Sequence, residues 1–369
     1  MIAVDAFMSR ALALAECAHP ICPPNPAVGC VLVGADGVVI GEGHTQPTGH
    51  AHAEVMALRA AAQGGHDTRG ATAYVTLEPC AHQGRTGPCA DALVGAGVRR
   101  VVAALQDPNP RVAGQGFARL RAAGVDVVVG PGAQAARELN LGFFSRMQRG
   151  VPWVRLKIAA SLDGRTALPD GTSQWITGPV ARTDGHRWRA RAGAVLTGIG
   201  TVLHDNPQLN VRLPEVQRQP LLAIVDSQLR TPPGAALWSV ADRPVRIYTT
   251  RDDTHQADAL RACGAAVVSV PGAGGRVDLP AVLRDLARLE INEAHVEAGS
   301  GLNGALLQAA LVDELLIYQA PILLGEGLGL ASLGPLTRIA QGVPLQFMGA
   351  EPIGADLRVL ARVAGRSDF

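Results

Sequence analysis

Three residues in the first quarter of the chain could bind a catalytic metal ion, and a carboxylate lies beside one of them. Glu54 follows His52 by two residues, and Cys80 and Cys89 lie downstream. One imidazole and two thiolates leave the fourth tetrahedral position of a zinc ion open for water. Zinc lowers the pKa of that water from about 15.7 to about 7, and a neighbouring carboxylate can carry its proton. The pattern therefore predicts a hydrolytic zinc site in which Glu54 moves protons.

The order of these residues is typical of deaminases. Zinc deaminases that act on cytosine or adenine contain H-x-E followed by P-C-x-x-C, and their glutamate is not a zinc ligand. Here Pro79 precedes Cys80, but eight residues separate the two cysteines, so the match is partial. A zinc ion that only stabilises the fold is the alternative. Structural zinc sites usually have four ligands at short spacing, whereas this set has three, so the spacing favours catalysis.

The elements around these residues must bring them together. A predicted helix over 52–62 begins at His52, so Glu54 lies in a first turn whose backbone N–H groups are unpaired. A strand over 72–77 places Cys80 just beyond its carboxyl end, and Cys89 begins the next helix, where the thiolate is favoured. The other elements predicted for this half are a helix over 3–19, a hairpin over 28–40, strands over 99–105 and 125–129, and helices over 114–123 and 132–141. The alternation predicts a sheet with helices on its faces.

Other polar residues of this half could contact a substrate. Asn25 precedes the first strand, where its amide could bind a polar edge of the substrate or only cap the loop. The loop 81–88 between the two cysteines contains His82 and Arg85. We expect this loop to contact the base and the phosphate of a substrate, with an ordinary solvated loop as the alternative.

Composition limits the possible functions. A chain of 369 residues exceeds the size at which single cores stop growing, so two domains are expected. The net charge is +1 and there is no basic stripe, which argues against nucleic-acid binding through the phosphates. Six sparse cysteines with no secretory context predict a cytoplasmic protein without disulfides. No run of about 18 apolar residues exists, so we expect no membrane span.

The alternation of elements breaks around 143–152, and the segment 148–152 is predicted to join a domain 1–147 to a domain 148–369. Strands are predicted from 153 onward and over 193–197, 221–226, 244–249, 266–270, 294–298 and 314–320, with helices over about 179–191, 278–290 and 303–311. The second domain is therefore also α/β, and its sequence offers no zinc ligands of its own.

Two glycine-rich turns and one lysine stand out in this second domain. The turn Gly198-Ile199-Gly200 follows a predicted strand, and 299–304 has the pattern G-x-G-x-x-G between a strand and a helix. This pattern suits a nucleotide phosphate at a helix N-terminus, and a structural turn is the alternative. A Rossmann unit is disfavoured because the expected acidic ribose-binding residue is missing from the end of the next strand. Lys157 is the only lysine among 33 basic residues, and a functional role and chance are about equally plausible.

Several motifs surround the residues named so far. Those of the first half are His52-Ala53-Glu54-Val55, Thr76-Leu77-Glu78-Pro79-Cys80, Gly84-Arg85-Thr86, Pro88-Cys89, Asn25-Pro26-x-Val28-Gly29 and Gln106-Asp107-Pro108-Asn109-Pro110. Those of the second half are Lys157-x-Ala159-x-Ser161-Leu162-Asp163-Gly164, Ser173-Gln174-Trp175-Ile176-Thr177, Gly200-Thr201-Val202-x-x-Asp205-Asn206-Pro207, Val225-Asp226-Ser227 and Glu297-Ala298-Gly299. In this order they resemble the RibD family of bifunctional riboflavin-biosynthesis enzymes over nearly the whole chain. One departure is Ala51, where the family often has proline.

This resemblance implies a fold, two cofactors and a set of binding residues. The fold class would be α/β, with a cytidine-deaminase-like α/β/α domain followed by a dihydrofolate-reductase-like α/β domain. The cofactors would be Zn²⁺, held by His52, Cys80 and Cys89, and NADPH. The positions that match NADPH-binding positions of the family are Ala159, Trp175, Thr201, Asp205, Ser227, Gly299, Ser300, Gly301, Leu302, Asn303, Gly304 and Ala305. Those that match its substrate contacts in the reductase are Ser173, Arg189, Leu209, Arg212 and Glu297.

The resemblance also implies the reactions. The first domain would deaminate 2,5-diamino-6-(5-phosphoribosylamino)pyrimidin-4-one, and the second would reduce the ribosyl group of the product to ribityl with NADPH. Lys157 is expected to orient the ribose phosphate or to polarise the developing hydroxyl. Family members are oligomers, so a homo-oligomer is expected. One alternative is a nucleoside or nucleotide deaminase fused to an unrelated reductase. Another is a non-catalytic sensor that binds zinc and NADP, which Glu54 disfavours.

Overall fold

The chain forms two compact units, Met1–Gly150 and Val151–Phe369. The computed structural model describes residues 6–81, 87–110, 112–214, 216, 218–367 and 369. His82 and Arg85 therefore lie outside the described residues. None of the described helices is long and apolar enough to span a membrane.

The first unit is a five-stranded sheet flanked by helices. Its elements in chain order are α1 (Ala6–Ala18), β1 (Gly29–Val33), β2 (Val39–His44), α2 (Ala53–Gln63), β3 (Thr72–Val75), α3 (Cys89–Gly95), β4 (Arg100–Ala103), α4 (Gln115–Ala122), β5 (Asp126–Val129), α5 (Ala133–Leu139) and α6 (Leu141–Arg149). The strand order is β2-β1-β3-β4-β5; β1 is antiparallel to both neighbours, and β3, β4 and β5 are parallel. The helix α6, which was not predicted, continues the helical structure to Arg149.

Close packing fixes the helix that begins beside His52. A Cβ atom added at Gly43 in β2 would lie 2.5 Å from the carbonyl oxygen of Ala53, in the first turn of α2. The absence of a side chain at Gly43 therefore lets α2 rest directly on the sheet. Ala53, Ala57 and Ala61 are fully buried on the face that makes this contact. Small residues on both elements thus hold the amino end of α2 at a fixed depth against β2.

The second unit is built on a nine-stranded sheet. Its elements are β6 (Trp153–Ser161), β7 (Arg165–Ala167), α7 (Pro179–Arg191), β8 (Ala194–Gly198), α8 (Ile199–Asp205), β9 (Leu221–Val225), β10 (Val245–Thr249), α9 (His255–Ala262), β11 (Ala265–Ser269), α10 (Leu279–Arg288), β12 (Glu293–Val296), α11 (Ser300–Gln308), β13 (Glu314–Ala320), β14 (Leu328–Gly329), β15 (Leu345–Ile353) and β16 (Asp356–Val363). The strand order is β11-β10-β9-β8-β12-β6-β13-β16-β15. The seven strands from β11 to β13 are parallel, and β16 and β15 are antiparallel additions.

The sequence pattern failed to predict the hairpin formed by β15 and β16. Every residue of β15 except Ile353 is exposed, so the strand has no alternation of buried and exposed positions. Its sequence also contains Gly349 and Pro352, which weaken a strand prediction and are tolerated at a sheet edge. The helix α8 was missed too, because it begins inside the glycine-rich turn at 198–200.

Candidate active sites

The three predicted zinc ligands lie together in the first unit. Nδ1 of His52 is 3.6 Å from Sγ of Cys80 and 3.3 Å from Sγ of Cys89. Among the described residues, these three also form the group whose donor atoms all lie within 4.8 Å of one another. A tetrahedral ion with Zn–N of about 2.0 Å and Zn–S of about 2.3 Å separates nitrogen from sulfur by roughly 3.5 Å. The side chains therefore fit a zinc ion in both donor type and spacing.

The local fold presents these ligands at two helix starts. His52 is the extended residue that immediately precedes α2, and Cys89 is the first residue of α3. The backbone N–H of Cys89 donates to Sγ of Cys80 across 3.4 Å. The Cys89 thiol donates a further hydrogen bond to Cys80, and with His52 it lowers the pKa of Cys80 to about 4. The same hydrogen bond raises the pKa of Cys89, so Cys80 is the thiol of this pair that loses its proton first.

Glu54 lies buried beside the ligands. Its side chain is in the first turn of α2, and the residue is 3% exposed. Burial raises the pKa of this carboxyl to about 7, and the charge of Cys80 adds to the rise. A carboxyl group with a pKa near neutral can both accept and return a proton, which is what a general acid–base residue must do.

Glu78 is a buried residue whose role the sequence did not reveal. Its Oε2 accepts hydrogen bonds from the backbone N–H groups of Asp107 (3.1 Å) and Gly114 (2.9 Å). Its Oε1 accepts from those of Gly116 (2.9 Å) and Phe117 (3.2 Å). One carboxylate thus anchors the loop after β4 and the start of α4 directly behind Cys80. The signal available in the sequence was only its place in the motif Glu78-Pro79-Cys80.

Asn25 lies half-buried in the turn before β1. Its backbone N–H donates to the carbonyl of Cys22, and its own carbonyl accepts from the Cys22 thiol. These contacts shape the turn with its backbone, so a role of the Asn25 amide in substrate binding stays a prediction.

The second unit contains a cavity of about 1080 Å³ along the carboxyl ends of its parallel strands. This edge of an open α/β sheet is where ligands usually bind. The cavity brings together sixteen of the residues predicted for cofactor and substrate binding in this unit. They are Lys157, Ala159, Ser173, Trp175, Arg189, Thr201, Asp205, Leu209, Arg212, Ser227, Glu297, Gly299, Ser300, Gly301, Leu302 and Ala305.

Asn303 and Gly304 do not line this cavity. Both are buried in α11, and the amide of Asn303 donates to the carbonyl of Leu330 across 3.0 Å. A Cβ atom at Gly304 would lie 2.1 Å from the carbonyl oxygen of Ser332. The last glycine of the G-x-G-x-x-G pattern therefore permits a backbone contact between α11 and the segment after β14. Only the first part of the pattern, around Gly299 and Gly301, faces the cavity.

An ion-pair cluster lines the cavity. The guanidinium of Arg189 binds Glu297 through two bonds, Nε to Oε1 at 2.6 Å and Nη2 to Oε2 at 2.9 Å. Nζ of Lys157 is 3.9 Å from Oε2 of Glu297, and its side chain is 24% exposed. Burial would raise the pKa of Glu297, but the charges of Arg189 and Lys157 outweigh it and keep that pKa well below its usual range. Burial lowers the pKa of Lys157, which eases loss of its proton.

The lining of the cavity also includes an aromatic residue. The Trp175 ring is 67% exposed, and the Arg182 guanidinium stacks over it with 4.7 Å to the ring centroid. The hydroxyl of Ser173 donates to Asp205 across 3.4 Å. A flat, accessible ring beside hydrogen-bonding groups suits the stacking of a planar heterocycle.

The first unit has a zinc-ligand set beside a buried glutamate, and the second is an α/β unit with a large cavity at its strand ends. Together they define a deaminase fused to a dinucleotide-dependent reductase. Residues 1–105 match the family described as "Cytidine and deoxycytidylate deaminase zinc-binding region", and residues 152–359 match "RibD C-terminal domain". RibD of Escherichia coli K12 is 45% identical over 95% of this chain and 97% of its own length.

Solved structures agree over the same length. RibD of Acinetobacter baumannii superposes with a TM-score of 0.89 at 40% identity, covering 97% of this chain and 98% of that one. A Thermotoga maritima protein named as a diaminohydroxyphosphoribosylaminopyrimidine deaminase/5-amino-6-(5-phosphoribosylamino)uracil reductase has a TM-score of 0.87 at 32% identity, covering 97% and 98%. The chain belongs to the RibD family of bifunctional deaminase-reductases of riboflavin biosynthesis. The predicted family, fold class and enzyme type are confirmed.

Proposed function

We propose that this chain performs two steps on one pyrimidine ribotide. The first is hydrolytic deamination of 2,5-diamino-6-(5-phosphoribosylamino)pyrimidin-4-one, and the second is NADPH-dependent reduction of the ribosyl group of 5-amino-6-(5-phosphoribosylamino)uracil to ribityl. The observation that carries the proposal is the presence on one chain of the His52, Cys80 and Cys89 ligand set and of the cavity around Lys157 and Glu297.

In the deaminase unit, His52, Cys80 and Cys89 would hold the zinc ion, which when bound supplies an activated water. The reaction adds the oxygen of water to the amino-bearing ring carbon and releases ammonia. Glu54 takes a proton from water and gives it to the departing amino group. Its burial and raised pKa suit both transfers.

In the reductase unit, NADPH would supply a hydride to C1′ of the ribosyl group while the ring oxygen takes a proton as its bond to C1′ breaks. We assign to Lys157 the polarisation of that oxygen, because it lines the cavity and pairs with Glu297, which Arg189 holds in place. The guanidinium of Arg212 lines the cavity and suits the substrate phosphate, whereas the fork of Arg189 is bound to Glu297. Trp175 offers the cofactor or the base a flat surface.

We further propose that the protein works in the cytoplasm as a homo-oligomer. None of the six cysteines forms a disulfide, which suits a reducing compartment. Light scattering coupled to gel filtration measures the mass; a monomer over the working concentration range contradicts the oligomer.

The test of the function follows ammonia and NADPH together. Zinc-loaded protein is mixed with the diaminopyrimidine ribotide and NADPH, and we expect ammonia release followed by equal loss of NADPH. No turnover of either kind would refute the riboflavin-pathway assignment, and ammonia without NADPH loss would refute the reductase half.

Two variants separate the activities. Glu54→Gln should abolish ammonia release but leave reduction of the supplied deaminated intermediate unchanged, because the two sites lie in separate units. Lys157→Met should lower reductase kcat at least about tenfold without affecting ammonia release. Intact reductase turnover in Lys157→Met would remove Lys157 from the reaction.

A further inference from the structure

The reductase cavity contains a second cationic region apart from Lys157 and Arg189. Arg230 and Arg276 line the cavity, and both residues are exposed. Neither guanidinium has an ion pair with any described carboxylate, whereas Arg189 is bound to Glu297. Two exposed guanidiniums without a counter-ion in one cavity provide forked donors for an anion.

The strand order separates this region from the chemistry. Lys157 is on β6, whereas Arg230 follows β9 and Arg276 precedes Val277, which is hydrogen-bonded to Ser227 just after β9. From β6 the sheet passes through β12 and β8 before it reaches β9, which is three strand spacings. At about 4.8 Å per spacing the two regions are roughly 14 Å apart. One extended ligand could therefore occupy both ends of the cavity.

The part of the cavity between Lys157 and the end of β9 suits a pyrophosphate. The backbone from Gly299 to Gly301 lines the cavity at the start of α11, directly after β12. Unpaired N–H groups at a helix start bind phosphate groups. A dinucleotide with its pyrophosphate here and its nicotinamide near Lys157 must place its adenosine toward β9.

An acidic residue lines the cavity at the end of β9 and is bound within its own turn. Asp226 occupies the strand end, where an NAD-dependent enzyme often has an acidic residue for the ribose 2′-hydroxyl. Here the Asp226 side chain is fully buried, and its Oδ2 accepts from the backbone N–H and the hydroxyl of Thr231, both at 2.7 Å. The two Thr231 contacts hold the carboxylate within this turn, its Oδ1 has no hydrogen-bond partner among the described residues, and Arg230 lies between Asp226 and Thr231 in the sequence.

A hydrogen bond holds the segment that contains Arg276 beside the end of β9. The backbone N–H of Val277 donates to the hydroxyl of Ser227 across 3.2 Å, which fixes the segment 274–276 against the end of β9. Arg276 thus approaches from one segment and Arg230 from another.

We infer that Arg230 and Arg276 bind the 2′-phosphate of NADPH and thereby select NADPH over NADH. The inference rests on the proposed reductase function and adds to it the residues that set cofactor specificity. A 2′-phosphate gives the two guanidiniums the charged partner that they lack, whereas a 2′-hydroxyl gives them none.

Calorimetric binding tests this inference without turnover. NADP⁺, NAD⁺ and adenosine 2′,5′-bisphosphate are titrated into zinc-loaded, full-length protein and into the variants Arg230→Gln and Arg276→Gln. We expect each variant to weaken NADP⁺ and the bisphosphate about tenfold or more, which is the effect of one charge-assisted hydrogen bond, and to leave NAD⁺ unchanged. Arg288→Gln is the matched control, because Arg288 is an exposed arginine of α10 that does not line the cavity.

The outcomes are distinct. Unchanged NADP⁺ affinity in both variants overturns the inference, and so does an equal loss for NADP⁺ and NAD⁺, which would indicate pyrophosphate contacts or misfolding. A wild-type protein that binds both cofactors equally well also overturns it while leaving the reductase function intact. A wild-type protein that binds neither overturns the reductase function as well.

Discussion

Replacing Glu78 by glutamine should selectively weaken the deaminase unit. In the native protein each carboxylate oxygen of Glu78 accepts two backbone N–H groups, those of Asp107 and Gly114 on one side and those of Gly116 and Phe117 on the other. The amide oxygen of glutamine can keep one pair, but its NH₂ group faces the other. Two N–H groups then lose their acceptor, at about 1–3 kcal/mol each, so we expect a loss of about 2–6 kcal/mol.

The distribution of tryptophans allows each unit to be followed by itself. All four, at positions 153, 175, 188 and 238, lie in the second unit. Tryptophan fluorescence in urea therefore follows unfolding of the reductase unit. Zinc release to a chromogenic chelator follows unfolding of the deaminase unit. With a urea slope of about 2 kcal/mol per M, the loss moves the zinc-release midpoint of Glu78→Gln down by roughly 1–3 M and leaves the tryptophan midpoint in place.

Glu42→Gln is the comparison for this experiment. Glu42 pairs with Arg10 at 2.7 Å, but their side chains are 31% and 54% exposed, so the pair contributes at most about 1 kcal/mol. If Glu78→Gln lowers the zinc-release midpoint no more than Glu42→Gln does, the four hydrogen bonds do not stabilise the unit and the reasoning is wrong.

Two more predictions concern the second unit. Arg155 binds the buried carboxylates of Glu293 and Glu314, each at 2.6 Å, so Arg155→Met should cost about 3 kcal/mol or more in the tryptophan-detected urea transition; a loss below about 1 kcal/mol contradicts this. Burial and the charges of Arg189 and Arg212 lower the pKa of His186 to about 4. The unfolded ring titrates near 6.5 and binds a proton first, so stability should fall from about pH 6.5 to pH 4, and His186→Gln should reduce that slope.

The zinc-ligand set could be predicted from the sequence because its geometry is local. His52 and Cys89 lie at helix starts, and Cys80 follows a strand, so each ligand sits at a junction that turn and helix signals already mark. The structure brings their donor atoms within 4.8 Å of one another. Parallel strands alternating with helices were also predictable, since apolar residues recur at different spacings in buried strands and in amphipathic helices.

What the sequence could not predict depends on contacts between distant residues. The four partners of Glu78 lie 29 to 39 positions downstream, in a loop and a helix start that carry no pattern of their own. Gly304 resembles a phosphate-binding glycine, yet its role is the contact with Ser332, 28 residues later. The exposed edge strand β15 lacks the alternation that would identify it.

The strand order of the reductase unit places residues that are far apart in the sequence along one cavity with two ends. Lys157, Glu297 and Ser227 lie on or just after strands that are far apart in the chain, and the order β6-β12-β8-β9 alone decides their sequence along the cavity. Because β12 lies between β6 and β8, the glycine backbone at the start of α11 falls between the reacting end and the end with Arg230. A dinucleotide has the same order, with its pyrophosphate between nicotinamide and adenosine. The orientation that we infer for the cofactor therefore depends on strand order, which spacing in one sequence cannot specify.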